Sequence, residues 1–413
     1  MEGVPGPEPR YTPGVKVAVI GAGTAGCAAA LFLARDGHQV TLFEKVAEPT
    51  AIGAGIVLQP SGMSALASLD LLAPIVARGA VLHELLAVNE RMKPVVNLRY
   101  EHLARDLYGL GLHRGVLFRT LFDAVKREVY DVRCGVAVEE LRGRVLAEHE
   151  LVVVADGARS HLRDQSEIPR RVTKYPWGAL WFVGLDHQRR FVDRLYQVVR
   201  GTHRLLGILP TGLGPSGDVP LVSLFWSIEV ATQQKWRHQG LAQWKEEILG
   251  YVPESAPILD QIQHVDQVLF SEYHDVVMRS WHRDNVVFLG DAAHATSPQL
   301  GQGCNLALVD AEVLARSLRE AGSVSAGLIR YAAARKAHLA YYQLATRWLT
   351  PLFQSNLGWL GPIRDLLMPI GCRIPWVRKQ MALGMCGTSR GPFLRAMPLA
   401  ARPLALCSPV PPR

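Results

Sequence analysis

The stretch Val15-Lys16-Val17-Ala18-Val19-Ile20-Gly21-Ala22-Gly23-Thr24-Ala25-Gly26 constrains the fold of this chain more than any other. Its apolar, β-branched start reads as a buried parallel strand, and residues 27–35 read as the helix that follows. The glycines between them allow a tight turn and let the backbone approach a pyrophosphate, whose charge the helix N-terminus stabilises. Ala25, Gly26 and Ala29 keep the helix close to the sheet. A second strand, residues 39–43, ends in Glu44, 23 positions after Gly21. A carboxylate there accepts hydrogen bonds from ribose hydroxyls and repels a 2′-phosphate. The unit predicts dinucleotide binding, with a purely structural turn as the alternative. Residues 212–217 match the same glycine pattern but lead into a strand-like run, so they read as a loop and leave no second nucleotide unit.

A chain of 413 residues predicts two or three domains, and a hydrophobic share of 49% supplies their cores. Residues 17–34 carry no charge and have the hydropathy of a signal peptide or membrane span, but their glycines and strand–helix grammar assign them to the nucleotide unit. The six cysteines lack metal or redox spacing, which predicts a reducing cytoplasm and packing roles for Cys27 and Cys304. The net charge of +8 does not make a nucleic-acid binder. Only 9 of the 45 basic residues are Lys, and the arginines are spread along the chain rather than gathered in a basic–aromatic stripe. The positive balance favours anionic nucleotides such as NAD(P)H.

Residues 1–13 hold four prolines and read as a disordered arm. Nucleotide-domain texture covers 14–76, 101–170 and 281–340, with a glycine-punctuated loop at 53–60. Strands at 81–88 and 94–100, and aromatic-rich strands at 177–184, 195–200, 204–209 and 219–228, assign 77–100 and 171–280 to a substrate domain. Residues 341–413 form a C-terminal helical region and tail. The expected fold is α/β: a discontinuous Rossmann-like domain, an inserted β-sheet domain and C-terminal helices.

Two further signals turn "dinucleotide" into FAD. The apolar run that starts at Leu151 reads as a buried strand ending in Asp156-Gly157, followed by Ser160 and Arg163. The strand at 285–289 ends in Gly290-Asp291-Ala292-Ala293-His294, then Pro298, Gly301, Gly303 and Asn305. Asp291 at a strand end can take ribityl hydroxyls, and a helix starting near Gly303 would aim its N-terminus at the flavin pyrimidine. His294 reads as a hydrogen-bonded structural residue.

With these motifs in order, residues 15–340 resemble the single-component, class A FAD-dependent aromatic hydroxylases of the para-hydroxybenzoate and salicylate hydroxylase type. The resemblance also rests on His113-Arg114-Gly115-Val116-Leu117 leading into a helix. It implies that Arg114 contacts FAD, that Asp156 sits near FAD and the NAD(P)H approach, that Asp291 binds ribityl, and that Pro298 lies beside the flavin ring. Gly21, Gly23, Thr24, Ala25, Gly26, Glu44, Gly301, Gly303 and Asn305 complete the implied cofactor set. The chain departs from the family at Val154, where glycine is usual, and in a shorter segment from Val125 to Asp156.

The implied reaction uses NAD(P)H to reduce FAD and dioxygen to form a flavin hydroperoxide, whose distal oxygen passes to an aromatic or polyketide-like small molecule. Water must be excluded. Trp181, Phe182, Phe225 and Trp226 are the candidate substrate walls. His203, Tyr196 and Arg204 lie in the substrate domain as possible bases, with none preferred. Two alternatives stand beside this reading: a flavin-dependent dehydrogenase, reductase or halogenase without oxygen insertion, and a flavoprotein whose C-terminal Trp348, Trp359 and Trp376 lie on lipid. A tryptophan-halogenase motif is absent.

Overall fold

The computed structural model describes residues 14–50, 53–141, 143 and 147–400. The arm expected over 1–13 and the tail from 401 onward lie outside the described residues. Two sheets organise the chain. The first has six strands in the order His282–Arg283, Val286–Phe288, Leu151–Val154, Lys16–Ile20, Gln39–Glu44, Asp131–Cys134. All neighbours are parallel except the first pair. Its central strands are buried on both faces, which is why they read as unbroken apolar runs. The central strand is flanked by segments about twenty and more than one hundred positions away in sequence, so the nucleotide domain is discontinuous, as expected. Helices Thr24–Arg35, Arg114–Glu128 and Gly303–Arg319 pack together over one face in a continuous apolar core.

The second sheet has nine strands. Eight follow the order Leu269–Met278, Arg170–Leu185, Pro220–Glu229, Arg204–Leu213, Asp193–Arg200, Ala80–Asn89, Gly109–His113, Gly55–Leu58, and Pro94–Arg99 pairs beside Ala80–Asn89. Only Asp193–Arg200 and Ala80–Asn89 run parallel. One face carries Leu180, Phe182, Leu224 and Trp226 into a core closed by Trp236, Trp244, Ile248 and Ile258. On the other face the Gly55 amide of the Gly55–Leu58 strand donates to Ser223 Oγ at 2.8 Å, and Phe225 packs in a cluster with Phe353 and Met385.

The chain divides differently from the sequence reading at three places. Gly55–Leu58, read as loop, is a strand, and with Gly109–His113 it belongs to the second sheet although both were grouped with the nucleotide domain. Runs this short, edged by Gly and Pro, carry too little periodicity to reveal their partner. The boundary placed at 340 falls inside the 30-residue helix Val324–Phe353, which carries the chain from one region to the next. Leu269–Met278 is a strand that the sequence reading did not single out. Two C-terminal helices follow, Leu360–Arg373 and Pro375–Met385.

Candidate active site

The glycine turn has the geometry that a pyrophosphate requires. Gly21 has φ of +100°, and a Cβ there would lie 2.6 Å from the Ala155 carbonyl oxygen. A Cβ on Gly26 would lie 1.8 Å from the Gly21 carbonyl oxygen, so turn and helix touch backbone to backbone. Gly23 is different: nothing lies within 4 Å of its Cβ position, which faces open space in front of the helix N-terminus. Glu44 is held at the end of its strand by the Ala22 amide at 2.8 Å and the Val46 amide at 2.9 Å. One oxygen is thereby tied to the glycine turn itself.

The other two motifs converge on that turn. The Ala25 side chain lies 3.0 Å from where a Gly290 Cβ would stand, and Ala307 lies 3.3 Å from it. A Cβ on Gly303 would come within 3.7 Å of Asp291 Oδ1. Burial pushes the Cys304 thiol up to about 12, against the pull of the neighbouring Arg114 guanidinium and Thr24 hydroxyl, while Asp291 pushes it further up. These effects set Arg114, Thr24 and Asp291 around one point and leave Cys304 a neutral packing residue, not a nucleophile. Arg163 ties the motifs covalently distant in sequence: its guanidinium donates to the Ala292 carbonyl at 2.9 Å and the Ala158 carbonyl at 3.0 Å. Asp156 Oδ1 is buried with no hydrogen-bond partner, and burial raises the carboxyl pKa above its ordinary value. Val154, the departure from the family pattern, pairs regularly with Ile20 and Phe288.

Gly23, Arg114, Asp291, Pro298, Gly301 and Gly303 are all exposed, and the contacts of Asp291 with Gly303 and of Cys304 with Arg114, Thr24 and Asp291 bring part of this set together as a donor set that suits FAD. The glycine turn and Glu44 fit the adenosine diphosphate, and Asp291 with the Gly303–Arg319 N-terminus fits the ribityl and pyrimidine. Asn305 plays another part. Its amide is engaged by protein, with Oδ1 accepting from the Gln59 amide and Nδ2 donating to the Val57 and Gly301 carbonyls. It shapes the slot, leaving only its backbone for a ligand. A cleft of about 580 Å³ beside Phe118, Arg119 and Lys126 contains none of the residues predicted to hold FAD.

Behind Asp291 lies a buried ionic chain. Asp310 accepts from the Gly290 amide at 3.0 Å, stands 2.6 Å from His294 Nε2, and receives Arg335 Nε at 2.7 Å. Arg335 also meets His338 Nδ1, and His338 Nε2 donates to the Gly387 carbonyl at 2.8 Å. Burial opposes ionisation of Asp310, but the neighbouring His294 and Arg335 hold its carboxyl well below the usual range. His338 is pushed down to about 3, first by burial and then by Arg335. His294 thus has the structural role expected of it. Asp310 follows the apolar run of residues 306–309 in a stretch that also carries Glu312, and that acid inside a buried helical pattern was the available signal for this network.

The four aromatic candidates do not share a wall. Trp181 pairs with Phe225 across neighbouring strands, with ring centroids 5.0 Å apart and planes at 39°. Phe182 and Trp226 point through the sheet into the opposite core, because successive residues of a strand alternate faces. They are corrected from substrate wall to core. Tyr196 packs on that same core, and Arg204 lies over the Trp226 ring and beside Glu247, so neither is placed to act as a base. His203 sits in the turn between strands, with its carbonyl accepting from Ser227 Oγ.

Two unanticipated phenols join the Trp181 face. Tyr273 lies by the Trp181 indole, and its hydroxyl is buried without a hydrogen bond of ordinary geometry. Burial pushes it up to about 12. Tyr175, also raised mainly by burial and further by Asp275, lies by Ser297, the residue before Pro298. Ser297 Oγ in turn meets Thr350 Oγ1 at 2.6 Å.

The family described as an FAD binding domain matches residues 14–342. The kynurenine 3-monooxygenase of Salinispora arenicola is 29% identical over 361 residues, covering 78% of this chain and 76% of that protein. The 6-methylpretetramide 4-monooxygenase of Streptomyces rimosus is 29% identical over 326 residues, covering 71% and 73%. Among solved structures, Klebsiella pneumoniae HpxO complexed with FAD and uric acid shares the fold with a TM-score of 0.74 at 23% identity, covering 91% of this chain and 99% of that one. The match spans the glycine turn, Arg114, Asp156 and the Asp291 turn alike, and the chain belongs to the FAD-binding-domain family as a class A FAD-dependent monooxygenase.

Proposed function

We propose that the enzyme oxygenates a planar aromatic or polyketide-like small molecule held against the Trp181–Phe225 wall, with Pro298 on the flavin side. Three contacts support this reading: Trp181 pairs with Phe225, the buried Tyr273 hydroxyl lies by the Trp181 indole, and Tyr175 lies by Ser297, the neighbour of Pro298. FAD reduced by NAD(P)H supplies activated dioxygen, so that one oxygen atom enters the substrate and the other leaves as water. The chain's own residues do the rest. Trp181 and Phe225 stack against the substrate and exclude water. The Tyr273 hydroxyl, which burial keeps protonated well into the alkaline range, donates to a substrate oxygen, and Tyr175 holds a second polar edge. Gly21, Gly23, Thr24, Ala25 and Gly26 hold the pyrophosphate, Glu44 the ribose, and Asp291 the ribityl chain. Arg114 and Asp156 border the cofactor.

A screen of aromatic metabolites under isotope-labelled dioxygen tests the reading. One labelled atom is expected in the product and one in water. Product without label while NAD(P)H is consumed favours the dehydrogenase alternative. Tyr273→Phe is expected to raise KM and release more peroxide per NAD(P)H with FAD content unchanged; unaltered kinetics and coupling remove Tyr273 from the site.

A further inference from the structure

The helix Leu360–Arg373 is amphipathic in an inverted sense. Gly361 and Arg364 are buried, and Met368 and Cys372 pack on the core beneath it. On the opposite side Trp359, Ile363, Leu366, Leu367, Ile370 and Ile374 are all exposed. At 100° per residue these six positions fall within a stripe about 100° wide. Trp359, Leu366 and Leu367 are 63%, 64% and 57% exposed, far beyond what scattered surface apolar residues require. The Pro375–Met385 helix continues the surface: Trp376 is exposed and lies against Phe393, with ring centroids 6.2 Å apart.

The charges carried by this segment are nearly all of one sign, although Glu90, next to Asn89, and Glu101, which with Arg378 flanks His102, lie on neighbouring turns. From 357 to 400 the chain contains Arg373, Arg378, Lys379, Arg390 and Arg395 beyond the buried Arg364, and a single acid, Asp365. That acid is already engaged by Arg364 Nη2 at 2.7 Å and Asn89 Nδ2 at 3.1 Å. A second copy would bring one basic rim against another, on a chain whose net charge is already +8. An apolar stripe with indole rings and a basic border instead complements an anionic lipid surface, where the rings sit at headgroup level and Arg and Lys meet the phosphates.

We infer that this face docks the enzyme peripherally on anionic membrane, with Leu360–Arg373 lying in the interfacial plane. No helix of the described residues is long and apolar enough to cross a membrane, which fits a surface-lying element. Docking depends on neither the substrate nor the reaction assigned above.

Co-sedimentation of FAD-loaded protein with vesicles tests it, read by flavin absorbance. Vesicles of phosphatidylcholine mixed with phosphatidylglycerol are expected to retain the protein, and pure phosphatidylcholine to retain at least about tenfold less. Raising the salt should release it. Trp359→Ser with Leu366→Ser and Leu367→Ser should abolish retention while keeping FAD and the melting temperature, since the side chains removed touch solvent. Arg373→Gln with Arg378→Gln and Lys379→Gln should weaken it about tenfold or more. A chain ending at Ala400 should still bind; loss of binding there would assign the anchor to the tail. Failure of the folded wild type to sediment with anionic vesicles overturns the inference. So does a stable dimer in ultracentrifugation, without vesicle binding, that the triple serine variant dissolves.

Discussion

Gly23 and Gly26 stand three positions apart in one turn and forbid a side chain for different reasons. At Gly26 the obstacle is the protein itself, since a Cβ would collide with the Gly21 carbonyl. At Gly23 nothing in the protein objects, and only an approaching phosphate would. Gly23→Val is therefore expected to fold with a melting temperature near wild type and to purify colourless, whereas Gly26→Val should be poorly folded. A yellow Gly23→Val protein at full flavin stoichiometry would reject the pyrophosphate site. Asp291→Ala should weaken FAD binding by roughly tenfold or more, through loss of one or two hydrogen bonds to a charged group, measured by fluorescence titration. The aromatic pairs give a matching contrast. Trp226→Ala empties a packed core and should cost about 3–5 kcal/mol in urea unfolding. Trp181→Ala should cost clearly less and instead appear as raised KM and peroxide release. The sequence reading took two adjacent aromatic pairs as one wall, but neighbours on a strand face opposite sides, and which parity enters the core with Trp236 and Trp244 is decided by tertiary packing.

Among elements, the Gly303–Arg319 helix joins cofactor and scaffold, for it presents its N-terminus to the slot and its Asp310 to the buried chain. This chain predicts a pH dependence of stability. His338 has a folded pKa of about 3 against an ordinary 6.5, so below 6.5 the unfolded chain binds a proton that the folded protein refuses. Stability tied to this group is complete above 6.5 and falls as pH drops toward 3, by up to about 1.4 kcal/mol per pH unit. Asp310, held below the usual carboxylate range, acts in the same direction at the acidic end. Urea unfolding between pH 7 and 4 should show the decline, and His338→Gln should flatten its upper part while lowering stability at neutral pH. The strand–turn–helix and the Asp291 turn were legible because each is a local pattern of period and glycine. Arg335 and His338 were not, because they lie 25 or more positions from Asp310 and the helix carrying them reads only as mildly amphipathic.

For the whole molecule, the fold class and a discontinuous nucleotide domain follow from strand signals that recur far apart in sequence, while the strand partners at 55–58 and 109–113 follow from packing that no local pattern records. The segment 212–217, read as a loop, begins in the strand Arg204–Leu213 and turns into the antiparallel strand Pro220–Glu229, so it offers no helix N-terminus to a second dinucleotide. NAD(P)H is therefore expected to bind transiently, and stopped-flow flavin reduction should be slow until substrate is present, accelerating by an order of magnitude or more when it is; equal rates with and without a true substrate would reject such gating. The buried chain also sets a schedule for making the protein. The amide that shapes the Asp291 turn leans on Asp310, Asp310 on Arg335, Arg335 on His338, and His338 on the carbonyl of Gly387. A nascent polypeptide that has not yet reached Gly387 has the glycine turn but not the brace behind its second half. Firm cofactor capture is accordingly expected only once residues through Gly387 are made, and a protein clipped near Gly387 should shed its flavin although every residue predicted to face the nucleotide remains in place.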